Sequence, residues 1–443
     1  MKSLGTALTL ALLFVGCPEA LAQPGVDDLN ASAPQDVTIS LDEAWAQARE
    51  AAPQVQRALA AAGLAAATAD YAKSWWLPVV ELGAGYHALT GGAMAISGDL
   101  IPDVVQRNVN MGAGFAARWS PANSLGELAA AELYRDAAQL DVDAARAAAH
   151  LATAWAYCDL LEAEQLVQAL ELQLASNAAW SAELRALVKA DLQPEFAALL
   201  VESSGVRLQA DLASAAVLRA QAAGRLQLLM GVSPDAKRLR CAESAFTFNT
   251  QTTGIPLKSG AAELIDPEVE AAALRHSAAE RRLAAERRAP LIPTVSVGTS
   301  SGVFGTSLPD LHSRAGADAA LTWRLPLDRL FGGGRVQVLE ADAALAQVEH
   351  AVAEQSHDVQ LQSANRALQA ARMRYQAAVL AAELAGQALE QSEQRLALDV
   401  AEPYEVFHVR EVALEAELDR VHAAAAAHRA DWLWRYFAEQ LGR

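Results

Sequence analysis

Three side chains on one predicted helix have types that could bind a metal ion. His350, Glu354 and His357 lie about one helical turn apart in the sequence, so their imidazole and carboxylate groups would share a helix face and could coordinate zinc. Histidines scattered over a solvated helix surface give the same spacing. We favour that simpler interpretation and expect neither a metal nor a cofactor.

A run of glycines raises a second chemical question. The segment FGGGRV at 331–336 could form a phosphate-binding loop, but it lacks the Gly-Lys-Ser/Thr ending through which such loops reach phosphate and magnesium. The run therefore favours a turn between a strand and a helix. Because the sequence contains no nucleophile-elbow or metalloprotease motif, we do not expect an enzyme. A metal-dependent periplasmic enzyme that uses the His350 region stays open as an alternative.

The composition points to long helices rather than to a large globular core. The chain of 443 residues has 53 acidic and 35 basic residues, and its net charge of −18 disfavours a nucleic-acid surface. Hydrophobic residues make up 53% of the sequence, but aromatic residues only 6%. Alanine dominates the hydrophobic fraction, and small side chains suit helices that pack closely.

The N-terminus has the features of a secretory signal peptide. A basic residue precedes an apolar run, and Ala-Leu-Ala at 20–22 fits the small-x-small cleavage pattern, so we predict a signal peptide at 1–22. Cys17 lies in a segment that resembles a lipoprotein box, which leaves lipidation of Cys17 as an alternative. The mature chain would keep Cys158 and Cys241, which predict no disulfide framework. The rest of the sequence has no apolar run long enough for a transmembrane helix.

Four segments alternate between apolar and polar residues, which is the pattern of a strand with two different faces. They cover 79–88, 108–120, 293–304 and 313–325. Each has about ten to twelve residues, the length of a tilted strand that crosses a bilayer. A strand of a soluble sandwich can alternate in the same way. The residues predicted to face a water-filled lumen are Glu81, His87, Arg118, Asp318 and Arg324, and those predicted to face lipid are Leu82, Phe115, Leu321 and Leu325.

Two long stretches without proline, 122–193 and 327–402, predict very long helices. A helix of roughly 70 residues would be on the order of 100 Å long and must pack against other helices to be stable. The first stretch has small and apolar residues at a strict 4-3 spacing, which favours left-handed supercoiling. These residues are Leu133, Ala137, Leu140, Ala144, Ala147, Leu151, Ala154, Cys158 and Leu161.

The same plan occurs twice along the chain. Pro53 aligns with Pro267, and Trp119 aligns with Trp323. Each copy is predicted to form a helix, two strands and a hairpin of two long helices. The first repeat covers 23–231, a linker covers 232–260, and the second repeat covers 261–443. Four strands cannot close a barrel, and an open edge in lipid would leave unpaired amides, so closure requires several chains.

The order and duplication of these motifs resemble the TolC-type outer membrane factor (outer membrane efflux protein) family over nearly the whole mature chain. The resemblance is carried by SLDEAWAQAREAAPQVQRA, WWLPVVELGAGY, PLIPTVSVG, WRLPLDRLFGGGRVQVLEADAAL and RLALDVAEPYEVFHVREVALEAELDRVHAA. It implies a mainly α fold in which each protomer has four transmembrane β-strands and long helical hairpins. In a trimer, the strands would close into a 12-stranded barrel and the hairpins into a periplasmic α-barrel.

The resemblance also implies a function. The protein would be a passive conduit in the outer membrane of a Gram-negative bacterium, for small molecules or for proteins, in a tripartite efflux or type I secretion system. Its partners would be two further copies of the chain, a periplasmic adaptor, an inner-membrane pump and outer membrane lipid. A periplasmic coiled-coil scaffold without a pore is the alternative of a different class.

The two helical turns would then lie at the periplasmic mouth. The second turn keeps the Arg and the acidic residue of the family pattern as Arg395 and Glu405, but has Asp399 in place of Gly and Glu402 in place of Ser or Thr. The first turn, around Asp191, matches more loosely, and its Pro194 corresponds to Pro403 of the second turn. We hypothesise that these charged residues hold a constriction closed. The competing interpretation is a solvated acidic turn without a gating role.

Overall fold

The computed structural model describes residues 36–94, 97–233, 238–243, 245–246, 266–306, 310–323, 334–398 and 400–439. The predicted signal peptide, Cys17, Arg324, Leu325, Asp399 and most of the predicted linker lie outside these ranges. His87 is described in its backbone only.

The first repeat has a short strand, two helices, a pair of strands and two longer helices. Its elements are β1 (Asp36–Ile39), α1 (Leu41–Ala51), α2 (Pro53–Lys73), β2 (Val79–Met94), β3 (Leu100–Trp119), α3 (Pro121–Lys189) and α4 (Glu195–Leu229). Ser40 begins α1 with a capping box, since its hydroxyl accepts the Glu43 N–H while the Glu43 carboxylate accepts the Ser40 N–H. Prolines occupy the first turns of α2 and α3, where no N–H is needed.

The second repeat follows the same order after a four-residue strand. Its elements are β4 (Arg238–Cys241), α5 (Pro267–Arg288), β5 (Thr294–Gly305), β6 (His312–Thr322), α6 (Gly334–Ala397) and α7 (Pro403–Glu439). The duplicated order predicted from the sequence is therefore present. In both repeats a short 3-10 turn precedes the first strand of the pair, at Ser74–Trp76 and Ala289–Leu291.

The four longer strands form one antiparallel sheet in the order β2-β3-β5-β6. The repeats meet in its centre, where Val109–Trp119 of β3 pairs with Val295–Gly305 of β5. β5 and β6 have 12 and 11 residues, as expected, but β2 and β3 have 16 and 20. The expected length was too short for the first hairpin, because β2 and β3 keep pairing with each other beyond the end of β5. Within the described chain, β2 and β6 each pair on one side only.

The helices lie side by side below this sheet. Next to the sheet the order of contacting helices is α2, α3, α5 and α6, and towards the turns it is α4, α3, α7 and α6. One edge of the protomer is therefore made of β2, α2 and α4, and the other of β6 and α6. As predicted, α3 and α6 are very long, with 69 and 64 residues. None of the nine seam positions predicted on α3 is exposed.

A small two-stranded parallel sheet of β1 and β4 was not predicted. It pairs Asp36–Ile39 with Arg238–Cys241, inside the segment that we expected to be a polar linker. The Tyr157 hydroxyl on α3 donates to the Ile39 carbonyl at 3.1 Å, and Leu160 and Leu226 pack into the same apolar cluster. Tertiary contacts with α3 and α4 therefore stabilise a strand pair that four-residue segments could not form alone.

None of the helices in the described part of the chain combines the length and apolarity that crossing a membrane requires.

Candidate functional site

The strand register places the predicted lumen residues on one face of the sheet. Facing residues on paired strands share a side, and the pairs Glu81–Gly114, Ala116–Gly298 and Gly298–Asp318 connect all four strands of the sheet. By the same alternation, Arg118 and the backbone position of His87 lie on this face, which we call the polar face. That the polar face borders a lumen remains a prediction.

Glycines on the polar face indicate that the sheet curves towards it. A Cβ atom added to Gly112 would lie 2.8 Å from the Ser301 carbonyl oxygen, and one on Gly114 would collide with the Thr299 carbonyl. The Asp318 carboxylate covers Gly298 in the same way, since a Cβ there would lie 2.6 Å from its oxygen. Neighbouring strands crowd together on the concave side of a curved sheet, where only glycine leaves enough room.

The opposite face is apolar and exposed in the single chain. Leu82, Phe115 and Leu321, three of the four residues predicted to face lipid, share this face. All three side chains are more than half exposed. Large exposed apolar surfaces are rare on soluble monomers and mark contact with lipid or protein. Trp119 lies on the same face, at the end of β3 that adjoins α3, and its indole N–H donates to the Trp76 carbonyl at 2.9 Å.

Ion pairs connect the helices at the mouth of the concave sheet. Glu127 on α3 accepts from Arg282 on α5 at 3.0 Å and from Arg335 on α6 at 3.5 Å. Arg282 also lies over the Tyr134 ring, 5.0 Å from its centroid. Glu127, Arg282 and Arg335 line an open cavity of about 1930 Å³ together with Arg118 and Asp318.

This network includes part of the charged run at 278–289 of α5. Arg282 is bound to Glu127, and Glu286 is buried next to Arg335, so these two side chains do not belong to a fully solvated helix face. The charge run is visible in the sequence, but it does not identify the acidic partner. Glu127, which binds Arg282, lies 155 residues away along the chain.

The second helical turn contains the predicted charge pair. Arg395 Nη1 donates to Glu405 Oε1 at 2.6 Å, and both side chains are about half exposed. The Val400 N–H donates to the Arg395 carbonyl at 2.9 Å, and the Glu405 N–H to the Glu402 carbonyl at 3.0 Å. These bonds end α6 and begin α7 at Pro403. The pair lies within one chain, and its role in gating remains a prediction.

The first helical turn is closed by backbone bonds of the same kind. The Leu192 N–H donates to the Leu187 carbonyl at 3.0 Å, and Asp191 has a positive φ of 56°. A left-handed residue just beyond a helix end is usually glycine, and aspartate is among the few others that tolerate it. Pro194 then precedes α4.

Above the turns, the two hairpins are joined by contacts that the sequence did not reveal. Arg410 on α7 binds Glu393 on α6 at 2.7 Å and lies 4.8 Å from the ring centroid of Trp180 on α3. Glu411 on α7 accepts from Arg207 on α4 at 2.8 Å. Trp180 also belongs to an apolar cluster that includes residues of both hairpins. No sequence motif distinguishes these residues from other polar residues on a helix.

The two histidines of the possible metal site have different acidic partners. His357 Nδ1 lies 2.7 Å from an oxygen of Asp266, whereas His350 Nε2 lies 3.6 Å from Glu354. Among the described residues, no group of three or more His, Cys, Asp or Glu side chains is placed to hold a metal ion. Both described cysteines are free and buried, and burial raises the pKa of the Cys158 thiol to about 12.

The chain has the fold of solved outer membrane channels. It superposes on the outer membrane protein VceC from Vibrio cholerae with a TM-score of 0.72 and 18% identity, covering 90% of this chain and 95% of that one. For the Campylobacter jejuni CmeC outer membrane channel the TM-score is 0.76 at 15% identity, covering 96% and 93%. For the open Neisseria gonorrhoeae MtrE channel it is 0.66 at 17% identity, covering 90% and 88%.

The protomer fold implied by the resemblance to the TolC-type family, long helices with a small sheet portion, is thereby confirmed. Closure as a trimer remains a prediction. No protein-family model matches the chain. No curated protein sequence matches it significantly.

Proposed function

We propose that the protein is an outer membrane channel that acts as the passive conduit of an efflux system in a Gram-negative bacterium. One observation carries the proposal. A curved four-stranded sheet, with one polar and one apolar face, continues through β3 directly into α3, a helix of 69 residues, and the second repeat has a matching helix of 64 residues. The sheet would cross the outer membrane, and the helices would extend into the periplasm.

The number of strands supports a trimer. A sheet edge in lipid leaves N–H and C=O groups unpaired at a cost of several kcal/mol each. β2 and β6 of different copies can remove these edges by pairing with each other. Two copies would give eight strands, whose side chains fill the interior, so an open passage needs at least three. With three copies, twelve polar-faced strands would surround the axis.

The cargo and partners follow from this proposal. A passive conduit needs an energy source elsewhere, so we expect an inner-membrane pump and a periplasmic adaptor that reaches the helical turns. Neighbouring structures are described as outer membrane channels, which supports the channel role. Efflux of small molecules would use this architecture. Type I secretion of proteins would use the same architecture.

Single-channel recording tests the proposal. Mature protein, purified from outer membranes in detergent, should produce discrete and long-lived conductance steps in planar bilayers. The same protein unfolded by heat before addition is the matched control and should produce none. A protein that fractionates with the soluble periplasm and gives no conductance would instead be a scaffold, and the proposal would be wrong.

A further inference from the structure

The apolar face of the sheet has a defined height. On β3 it contains the odd-numbered positions from Val109 to Trp119, and the next odd position beyond Val109 is Arg107, which is exposed. The steps from Val109 to Trp119 cover about 33 Å along the strand, and about 25 Å along the normal of a membrane in which the strand is tilted by about 40°. Transmembrane barrels contact lipid through an apolar band of about this height. The apolar face between Arg107 and Trp119 therefore fits one hydrocarbon layer.

Exposed apolar residues mark the end of this band where the strands meet the helices. Trp76 and Leu77 directly precede β2, and Leu291 and Ile292 directly precede β5 in the second repeat. Trp323 follows β6 at the same end of the sheet. These five side chains are between 42% and 79% exposed in the single chain. Because tryptophan is enriched where hydrocarbon meets the lipid headgroups, they indicate the level of a membrane boundary.

Basic residues lie next to this boundary, in the last turns of α2 and α5. Lys73 of α2 pairs with Asp70 at 3.1 Å, and Arg287 of α5 pairs with Glu340 at 2.7 Å. Arg288, the last residue of α5, is exposed and has no acidic partner among the described residues. Arg288 therefore keeps an uncompensated positive charge at the level where headgroups begin.

Arg288 lies away from the cavity side of α5. Arg282 lines the cavity at the mouth of the sheet, whereas Arg288 does not. At about 100° per residue, the two positions are separated by about 120° around the helix axis. Arg281 lies on the same side as Arg288, seven residues earlier and about 10 Å further from the sheet. The outer side of α5 thus has one arginine at the membrane boundary and a second one below it.

We propose that Arg288 of each copy binds the phosphate of an anionic glycerophospholipid in the periplasmic leaflet of the outer membrane. The inference rests on the proposed function, which puts the sheet in that membrane. A guanidinium group binds phosphate oxygens through two parallel N–H donors. Leu291 and Ile292 follow Arg288 after one short turn and would contact the acyl chains of the same lipid.

The charge distribution favours an anionic lipid at this position. The segment 278–289 contains four arginines and two glutamates, although the whole chain has a net charge of −18. A surface that is acidic overall repels anionic headgroups, so a local excess of positive charge decides where such a lipid can bind. A cation in the last turn also stabilises a helix by itself. That effect does not depend on lipid, which separates the two roles in an experiment.

Native mass spectrometry of the purified mature trimer in detergent tests the proposal. The probes are phosphatidylglycerol and zwitterionic phosphatidylcholine with the same acyl chains. The wild type should prefer phosphatidylglycerol, with up to three tightly bound molecules per trimer. Arg288→Gln should lower the affinity for phosphatidylglycerol roughly fivefold and leave phosphatidylcholine binding unchanged. Arg288→Lys retains the charge and should retain most of the preference. The matched control Arg281→Gln removes the same charge about 10 Å further from the membrane and should bind like the wild type.

The outcome for the lipid site can be separated from the outcome for the function. A conducting trimer that binds both phospholipids equally, or that loses phosphatidylglycerol equally in Arg281→Gln, overturns the site and leaves the channel intact. A lower melting temperature of Arg288→Gln with an unchanged lipid preference assigns Arg288 to the helix alone and also overturns the site. Inorganic phosphate and lipopolysaccharide are the competing probes, and Arg288-dependent binding of either without a preference for phosphatidylglycerol excludes the proposed lipid. A non-conducting monomer overturns both the site and the channel.

Discussion

Replacement of Phe115 by arginine should prevent the sheet from entering a membrane. Phe115 pairs with Thr299, and Thr299 with Ala317, so it lies level with the middle of β5 and β6 and on the apolar face. Its side chain is 57% exposed in the single chain. An arginine facing lipid at mid-membrane costs roughly 2–4 kcal/mol, so three copies in a trimer would lose roughly 6–12 kcal/mol. Leu321, by contrast, is the penultimate residue of β6 near the helices, where the cost falls to roughly 0–1 kcal/mol.

The matched control places the same arginine on the polar face. Ser300 lies next to Thr299 along β5 and pairs with Gly114 and Gly316, which leave space for a long side chain that reaches water. Ser300→Arg should therefore assemble normally. Trimer yield in outer membranes, measured by light scattering after detergent extraction, should fall strongly for Phe115→Arg and change little for Ser300→Arg or Phe115→Leu. Equal yields for the two arginine variants would refute the assignment of the faces.

Three further predictions concern the helices. Removing the exposed ion pair by Arg395→Ser with Glu405→Ser should raise single-channel conductance, because each copy loses about 0.2–1 kcal/mol of the free energy that stabilises the closed state. Unchanged conductance and unchanged export would exclude a gate at this turn. The hydrogen bond with Glu162 raises the pKa of His422, so its stabilisation is complete below about pH 6.5 and is lost as the pH rises through the raised pKa. The melting temperature of the wild type should therefore exceed that of the His422→Gln variant by more at pH 6 than at pH 9. A difference between the two proteins that does not depend on pH would contradict the role of the His422–Glu162 pair. Cys158 should resist maleimide until the protein unfolds, and rapid labelling of the folded protein would show that its site is open.

Regular periodicity made most of the fold predictable. The 4-3 spacing on α3 correctly identified a seam without exposed residues, and the alternation in the strands correctly separated the faces of Glu81 and Leu82. These patterns repeat over many residues, so one wrong residue does not change the prediction. The pairing of β1 with β4 was missed, because four residues are too few for a periodic signal and the contact depends on Tyr157 of α3.

The long-range polar contacts could not be predicted from the sequence. Arg282 and Glu127, or Arg410 and Trp180, become neighbours only after helices distant in the chain lie side by side. A charged helix residue has the same sequence signature whether it is solvated or paired.

Cryo-electron microscopy of the mature protein in lipid nanodiscs tests the central claim most directly. The account predicts a ring of three chains in which twelve strands, ordered β2-β3-β5-β6 in each copy, form one barrel that opens into a tunnel of long helices. A monomer with an unpaired four-stranded sheet, or a dimer whose eight-stranded barrel is filled by side chains, would contradict it.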